Sequence, residues 1–143
     1  MPQDRKKRQE KNQLAAPRKL FDRTTIIIIV VVAVIAAVVG VVKYRSYHQY
    51  DSFAKCLKDR GFVMYGAYWC PHCVEQKELF LGAVKYLPYQ ECGVPGDTRL
   101  ENQTCKDAGI KRFPTWQFPP TGERQEGNLS LEALSDRSGC SLP

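Results

Sequence analysis

At 143 residues the chain has room for one domain, and part of that length is used before any domain begins. The net charge of +6 invites a nucleic-acid reading, but residues 1–23 carry eight Lys/Arg against Asp4, Glu10 and Asp22, which accounts for +5 of it. From Tyr44 to Pro143 twelve Lys/Arg meet twelve Asp/Glu, so this part is neutral, has no basic face for a phosphate backbone, and excludes nucleic acid as a partner.

In chain order, residues 1–23 read as a solvated, disordered basic tail: charged, with Gln, Asn and Pro17, and without an apolar period. Ile26 to Val42 is then seventeen residues without a charge. At about 1.5 Å per residue it covers roughly 25 Å, and its flanks extend it to the ~30 Å of a hydrocarbon core. Its β-branched residues favour strand in water, but a lone segment in lipid must satisfy its backbone internally, so residues 24–43 are expected as a transmembrane helix. A cleaved signal peptide has a shorter apolar region and a small-residue cleavage site, which fits less well than an uncleaved signal-anchor. Eight Lys/Arg precede the span and only Lys43 and Arg45 follow at once. The asymmetry keeps the N-terminus in the cytosol and puts everything after the span in a periplasm or lumen. Six cysteines agree independently, because disulfides persist in oxidising compartments.

Residues 44–50 are a short polar-aromatic connector, with His48 left without a role, and residues 51–143 are the domain. Asp51-Ser52 caps a helix with Phe53, Cys56 and Leu57 on its buried face, ended by Gly61. Phe62 to Tyr68 is almost wholly apolar and aromatic, as expected of a central strand covered on both faces. Cys70 then starts a helix with Pro71 in its first turn, where a missing N–H costs nothing. Apolar residues at helical spacing predict that this helix runs through Val74 to Leu87. A strand over Tyr89–Cys92 completes a βαβ unit. Gly93 to Asp97 reads as a loop, and Arg99 to Ala108 as a short helix with Leu100, Thr104, Cys105 and Ala108 inward. Arg112 to Phe118 is a strand entered through Pro114, Pro119-Pro120-Thr121-Gly122 a turn, and Glu123–Glu126 a polar edge strand. Ser130 caps a last helix that turns Leu131 and Leu134 inward. Asn102-Gln103-Thr104 and Asn128-Leu129-Ser130 fit glycosylation sequons, which arise often by chance.

The chemistry lies in Cys70-Pro71-His72-Cys73. A thiol at a helix N-terminus faces unpaired N–H groups and the positive end of the helix dipole, which stabilise thiolate over thiol. Cys70 is therefore the expected nucleophile, and Cys73, one turn in and more buried, the resolving thiol. Stabilising the reduced thiolate makes the disulfide a willing oxidant. His72 stands between them and can add charge or a hydrogen bond. The alternatives are a structural disulfide, whose loop is too small to add much stability, and half of a zinc site, which lacks two further ligands. A carrier of a soft metal through the same two sulfurs is the rival function. Cys92 at a strand end and Cys105 on the next helix are the expected structural disulfide. Cys56 and Cys140 remain, and as a disulfide they would tie the first helix to the last; the alternative for Cys56 is a free buried thiol. Four cysteines allow three pairings, and the sequence does not select among them.

This order of elements resembles the thioredoxin fold, an α/β architecture with a central mixed sheet flanked by helices, over about Asp51 to Cys140. Cys70-Pro71-His72-Cys73 matches its active-site motif and Phe113-Pro114-Thr115 its cis-proline loop. More narrowly, Met64 to Cys73, Glu91-Cys92 to Cys105-Lys106 and Pro114-Thr115-Trp116 resemble the thioredoxin-like domain fused to, or encoded beside, bacterial homologues of vitamin K epoxide reductase. With one span in place of their multi-helix quinone-reducing domain, this chain would need such an enzyme, or another quinone-linked one, as a separate membrane partner. The resemblance implies a thiol-disulfide oxidoreductase that oxidises thiols of exported proteins. It also implies a cis Pro114 that exposes backbone for a substrate strand beside Cys70; the alternative is a trans proline entering an edge strand. The Pro-His dipeptide matches strongly oxidising relatives. Met64 stands where reductant thioredoxins carry a buried acid, which weighs against a reductase or isomerase. Tyr68 and Trp69 pack the rim of the site, and no cofactor is expected.

Overall fold

The computed structural model describes residues 22–143. The basic tail read for residues 1–23 therefore falls, up to residue 21, outside the described residues. Helix α1 (Arg23–Tyr47) buries none of its side chains and is long and apolar enough to cross a membrane. Its 25 residues would extend about 37 Å as a regular helix. The chain divides into two units, residues 1–41 and 42–143, and the second carries the rest of the fold.

That second unit is mixed α/β: a four-stranded mixed sheet flanked by helices. Helix α2 (Asp51–Asp59) buries Phe53, Ala54 and Leu57, while Cys56 is only half-buried, beside the stripe rather than on it. Strand β1 (Val63–Gly66) leads into α3 (Pro71–Glu78), then a 3-10 turn over Leu81–Tyr86, and β2 (Tyr89–Glu91) returns parallel to β1. After β3 (Gly93–Val94), β4 (Asp97–Glu101) and α4 (Gln103–Asp107) come β5 (Thr115–Phe118), β6 (Glu123–Glu126) and α5 (Leu131–Ser138). The sheet order is β2-β1-β5-β6, with β5 antiparallel to both β1 and β6. Its polar last strand, β6, is an edge, as its composition requires.

The core sits where α2, the 3-10 turn and α5 meet the sheet. Phe53 stacks on Phe80 at 6.0 Å between ring centroids, and Phe80 lies 6.5 Å from Trp116. Met64 is fully buried and opposite Trp116 in the ladder. Ser130 Oγ accepts the Ala133 N–H to cap α5, and Gly139 ends it in the left-handed conformation.

Four expectations are corrected. Strand β1 alternates half-buried and buried residues, so only one face is fully covered. The long helix through Leu87 breaks after Glu78, and Leu81 takes φ 50°, a left-handed conformation rare for a side chain with a Cβ. The break lets Phe80 reach the core, where it is fully buried, while Val74 and Leu81, which the periodicity placed inward, are 44% and 40% exposed. Just beyond it, Gly82 packs so tightly under Tyr47 that a Cβ would overlap the ring. Residues 93–97, read as a loop, begin a two-stranded antiparallel ribbon with β4. The helix read over Arg99–Ala108 is therefore strand up to Glu101. Helix starts only at Gln103, because the side chain of Asn102 accepts the Cys105 N–H and caps it there. Leu100, expected inside, is 50% exposed on that ribbon.

Candidate active site

The two sulfurs of the Cys-x-x-Cys motif sit at the junction of β1 and α3. The turn after β1 is closed by the Cys70 N–H donating to Ala67 O at 3.0 Å. Cys70 is the N-cap residue of α3, in an extended conformation, with Pro71 next. Its carbonyl accepts the Cys73 and Val74 N–H groups, so the first turn forms around it. Cys70 and Cys73 are free thiols. Cys70 is 6% exposed and its thiol donates to the Phe113 carbonyl at 3.6 Å, whereas Cys73 has no exposure. Burial, above all, pushes the Cys73 thiol up to about 12; the Ala67 backbone and the Lys77 charge pull the other way, and Cys70 adds to the rise. Cys70 thus keeps a small exposed edge, and Cys73 lies behind it with none.

The Phe113–Pro114 peptide is cis and places its carbonyl against Cys70; Pro119–Pro120 is also cis. Trp69 packs edge-on to Phe113 at 6.0 Å, and the hydroxyl of exposed Tyr68 donates to Val94 O, so both aromatics form rim rather than core. His72 points outward: its Nδ1 lies 3.1 Å from Glu75 Oε2, and its side chain is 67% exposed. Glu75 also accepts from Asn128 Nδ2. The structure therefore brings Cys70, Cys73 and the Phe113-Pro114 segment together and leaves His72 on the outer face of α3.

Sequence reasoning missed two groups of residues. Gln76, on an otherwise charged stretch of α3, is fully buried. Its Nε2 donates to Leu129 O, and its Oε1 accepts from Leu129 N and Trp116 Nε1, which locks α3 to β5 and to the segment before α5. The second group lies behind Cys73. Met64 leaves β1 without an acid, but Glu91 on β2 supplies one: Oε1 accepts the Tyr68 and Gly93 N–H groups and Oε2 the Tyr89 hydroxyl. The Nζ of Lys77 lies 3.3 Å from the centre of the Tyr89 ring. The available signals were a charged residue one turn after Cys73 and an acid inside a predicted strand.

Both remaining cysteine pairs are disulfides, Cys92–Cys105 and Cys56–Cys140. Cys92, Cys105 and Ile110 form a small second core, and Cys140 joins the main one. Among the described residues, the cluster with metal-ligand atoms close together is Cys92, Glu101 and Cys105, whose two sulfurs are bonded to each other. No such cluster among them includes Cys70 or Cys73.

The burial contrast has a direct consequence. In the reduced full chain at pH 8, iodoacetamide should modify Cys70 and spare Cys73, whose thiolate fraction at a value near 12 is about one in ten thousand. Alkylation at Cys73 should climb as pH rises toward 12, because the thiolate alone reacts. Peptide mapping of the carbamidomethyl groups reads both; equal labelling of the two at pH 8 would contradict the burial contrast.

No family model matches the chain. Over 95 residues it is 41% identical to the thiol-disulfide oxidoreductase LTO1 of Arabidopsis thaliana, a match covering 64% of this chain and 24% of the relative. The chain thus spans about a quarter of the length of that relative.

Proposed function

We propose that the chain is a protein thiol-disulfide oxidoreductase with a thioredoxin-like domain, held on the outer side of a membrane by α1. Its role in this reading is to oxidise thiols of exported proteins and to pass the electrons to a quinone-linked membrane partner of the vitamin K epoxide reductase type. The observation that carries it is the paired placement of the sulfurs: Cys70 at the N-terminus of α3 against the Phe113 carbonyl, Cys73 sealed one turn behind. The 41% identity to a relative named for thiol-disulfide exchange supports the same chemistry. The charge asymmetry about the apolar helix, together with two disulfides in the domain, supports the location.

In the oxidising direction a substrate thiolate attacks Cys70 Sγ of the Cys70–Cys73 disulfide, and Cys73 leaves with the bonding electron pair. A second substrate thiolate then attacks the substrate sulfur of the mixed disulfide and releases Cys70. The substrate gains a disulfide, the chain holds two thiols, and the two electrons go on to the partner. In this reading the substrate strand docks on the backbone at Phe113-Pro114, beside Cys70 and just before β5.

Equilibrating the Cys70/Cys73 couple of the full chain with glutathione buffers tests the direction. The expected potential lies above about −200 mV, in the range of the oxidising members of the superfamily; a value near that of thioredoxin, about −270 mV, would overturn the oxidising role in favour of a reductase.

A further inference from the structure

We propose that Lys77 is the proton partner of Cys73, with Tyr89 and Glu91 as the positioning residues that hold it there. The proposal rests on the redox reading of Cys70 and Cys73 and adds what that reading lacks, a route for the proton of the inner sulfur.

Cys73 is sealed from solvent, yet each turn of the cycle must make or consume its thiolate. Three titratable groups act on it: Cys70 at the cap of α3, Lys77 on α3 and Tyr89 on β2; Glu91, also on β2, acts on Lys77 and Tyr89. Gly66 is the floor of this cluster. A methyl group built there would meet both Cys73 Sγ and the Tyr89 ring at 2.8 Å, so the sulfur and the ring share the space above the one residue of β1 that leaves room. Lys77 is four residues after Cys73 on the same helix, the spacing that brings side chains onto one face. Its Nζ sits on that Tyr89 ring at 3.3 Å.

The neighbours divide by their engagements. The Glu91 carboxylate already accepts two backbone N–H groups and the Tyr89 hydroxyl, which engage both of its oxygens. Tyr89 is that donor, and burial together with Glu91 raises its hydroxyl well above the usual tyrosine range, so it keeps its proton. His72 is turned toward Glu75. Lys77 remains, and burial lowers it from the ordinary lysine value, against the pull of Glu91 and of Cys73. A lowered ammonium is a better proton donor, and its amine is reached at a lower pH.

The step balances without any outside reagent. When a substrate thiolate attacks Cys70, the S–S bonding pair goes to Cys73 Sγ; the Lys77 ammonium gives that sulfur a proton and becomes an amine. In reverse, the amine takes the Cys73 proton, and the thiolate attacks Cys70 Sγ of a mixed disulfide. The Cys70–Cys73 bond forms, and the external thiolate leaves.

Rapid mixing of the reduced full chain, in detergent, with an equimolar amount of 5,5′-dithiobis(2-nitrobenzoate) tests it. Thionitrobenzoate is released first as Cys70 attacks and again as Cys73 resolves, so the second phase reads Cys73 alone. Lys77→Met should slow that phase by about a hundredfold at pH 7, the size of a lost general acid-base group, and spare the first phase. Lys77→Arg should stay slow, since a guanidinium holds its proton at every pH used. Glu91→Gln should move the rising limb of the second-phase pH profile to lower pH, because losing the carboxylate charge lowers Lys77 further; a merely structural role would lower the rate without moving the limb. A second phase of wild-type speed in Lys77→Met, full recovery in Lys77→Arg, or a limb unmoved by Glu91→Gln would each overturn the proposal. A wild-type chain that releases only one thionitrobenzoate would instead overturn the redox pairing on which it rests.

Discussion

Expression of the Cys73→Ala variant should accumulate covalent complexes on Cys70, visible as adducts on non-reducing gels that collapse on reduction. The reason is geometric. Cys73 lies one turn behind Cys70 and is the free thiol placed to expel a bound partner, so its removal leaves the mixed disulfide without an internal exit. Alanine is the suitable replacement, because it removes the sulfur without adding a polar atom at a position that has no exposure. On the proposed function the adducts should contain both exported proteins and a membrane redox partner, and mass spectrometry of the excised bands identifies each class. Cys70→Ala with Cys73 intact should form none, since the remaining sulfur has no exposure. Adducts of equal abundance in that control would mean that the roles of the two cysteines are reversed.

The second large effect is on stability. Cys56–Cys140 joins residues 84 apart in sequence, and Cys92–Cys105 residues 13 apart. By loop entropy the long bridge should contribute about 4.5 kcal/mol and the short one about 3 kcal/mol. A domain of this size has a total stability of roughly 5–15 kcal/mol, so the long bridge accounts for a large part of it. Cys56→Ala with Cys140→Ala should therefore lower the urea midpoint more than Cys92→Ala with Cys105→Ala. The location of the two bridges points the same way: Cys140 is buried in the main core, while the short bridge closes only the small cluster with Ile110. The opposite order of midpoints would show that native packing, and not the restricted unfolded chain, sets the contribution of each bridge.

The site was legible to the extent that local rules govern it. Cys70 at a helix start, Pro71 in the first turn, Ser130 as a cap and Glu123–Glu126 as an edge strand are short-range matters of backbone hydrogen bonds and polarity, and each appears as its residues imply. The long apolar period from Val74 to Leu87 misled because a periodic pattern does not distinguish one helix from two short helical pieces with a shared buried side. The tertiary demand for Phe80 in the core breaks it at Leu81. The ribbon of β3 and β4 was missed for a similar reason: Arg99 to Ala108 has fair helix formers, but Glu101 pairs with Gly93 across the ribbon, and Asn102 delays the helix.

From the amino-acid sequence by itself follow the apolar helix, the charge step across it and the tight cysteine pair at a helix start, because length, charge and helix-terminus signals are local quantities. Only the tertiary structure decided which of the three pairings the other four cysteines take, and that Lys77, Tyr89 and Glu91 gather behind Cys73. Those residues lie on different elements, and what unites them is the parallel pairing of β1 with β2 over Gly66, a long-range contact that no local pattern encodes.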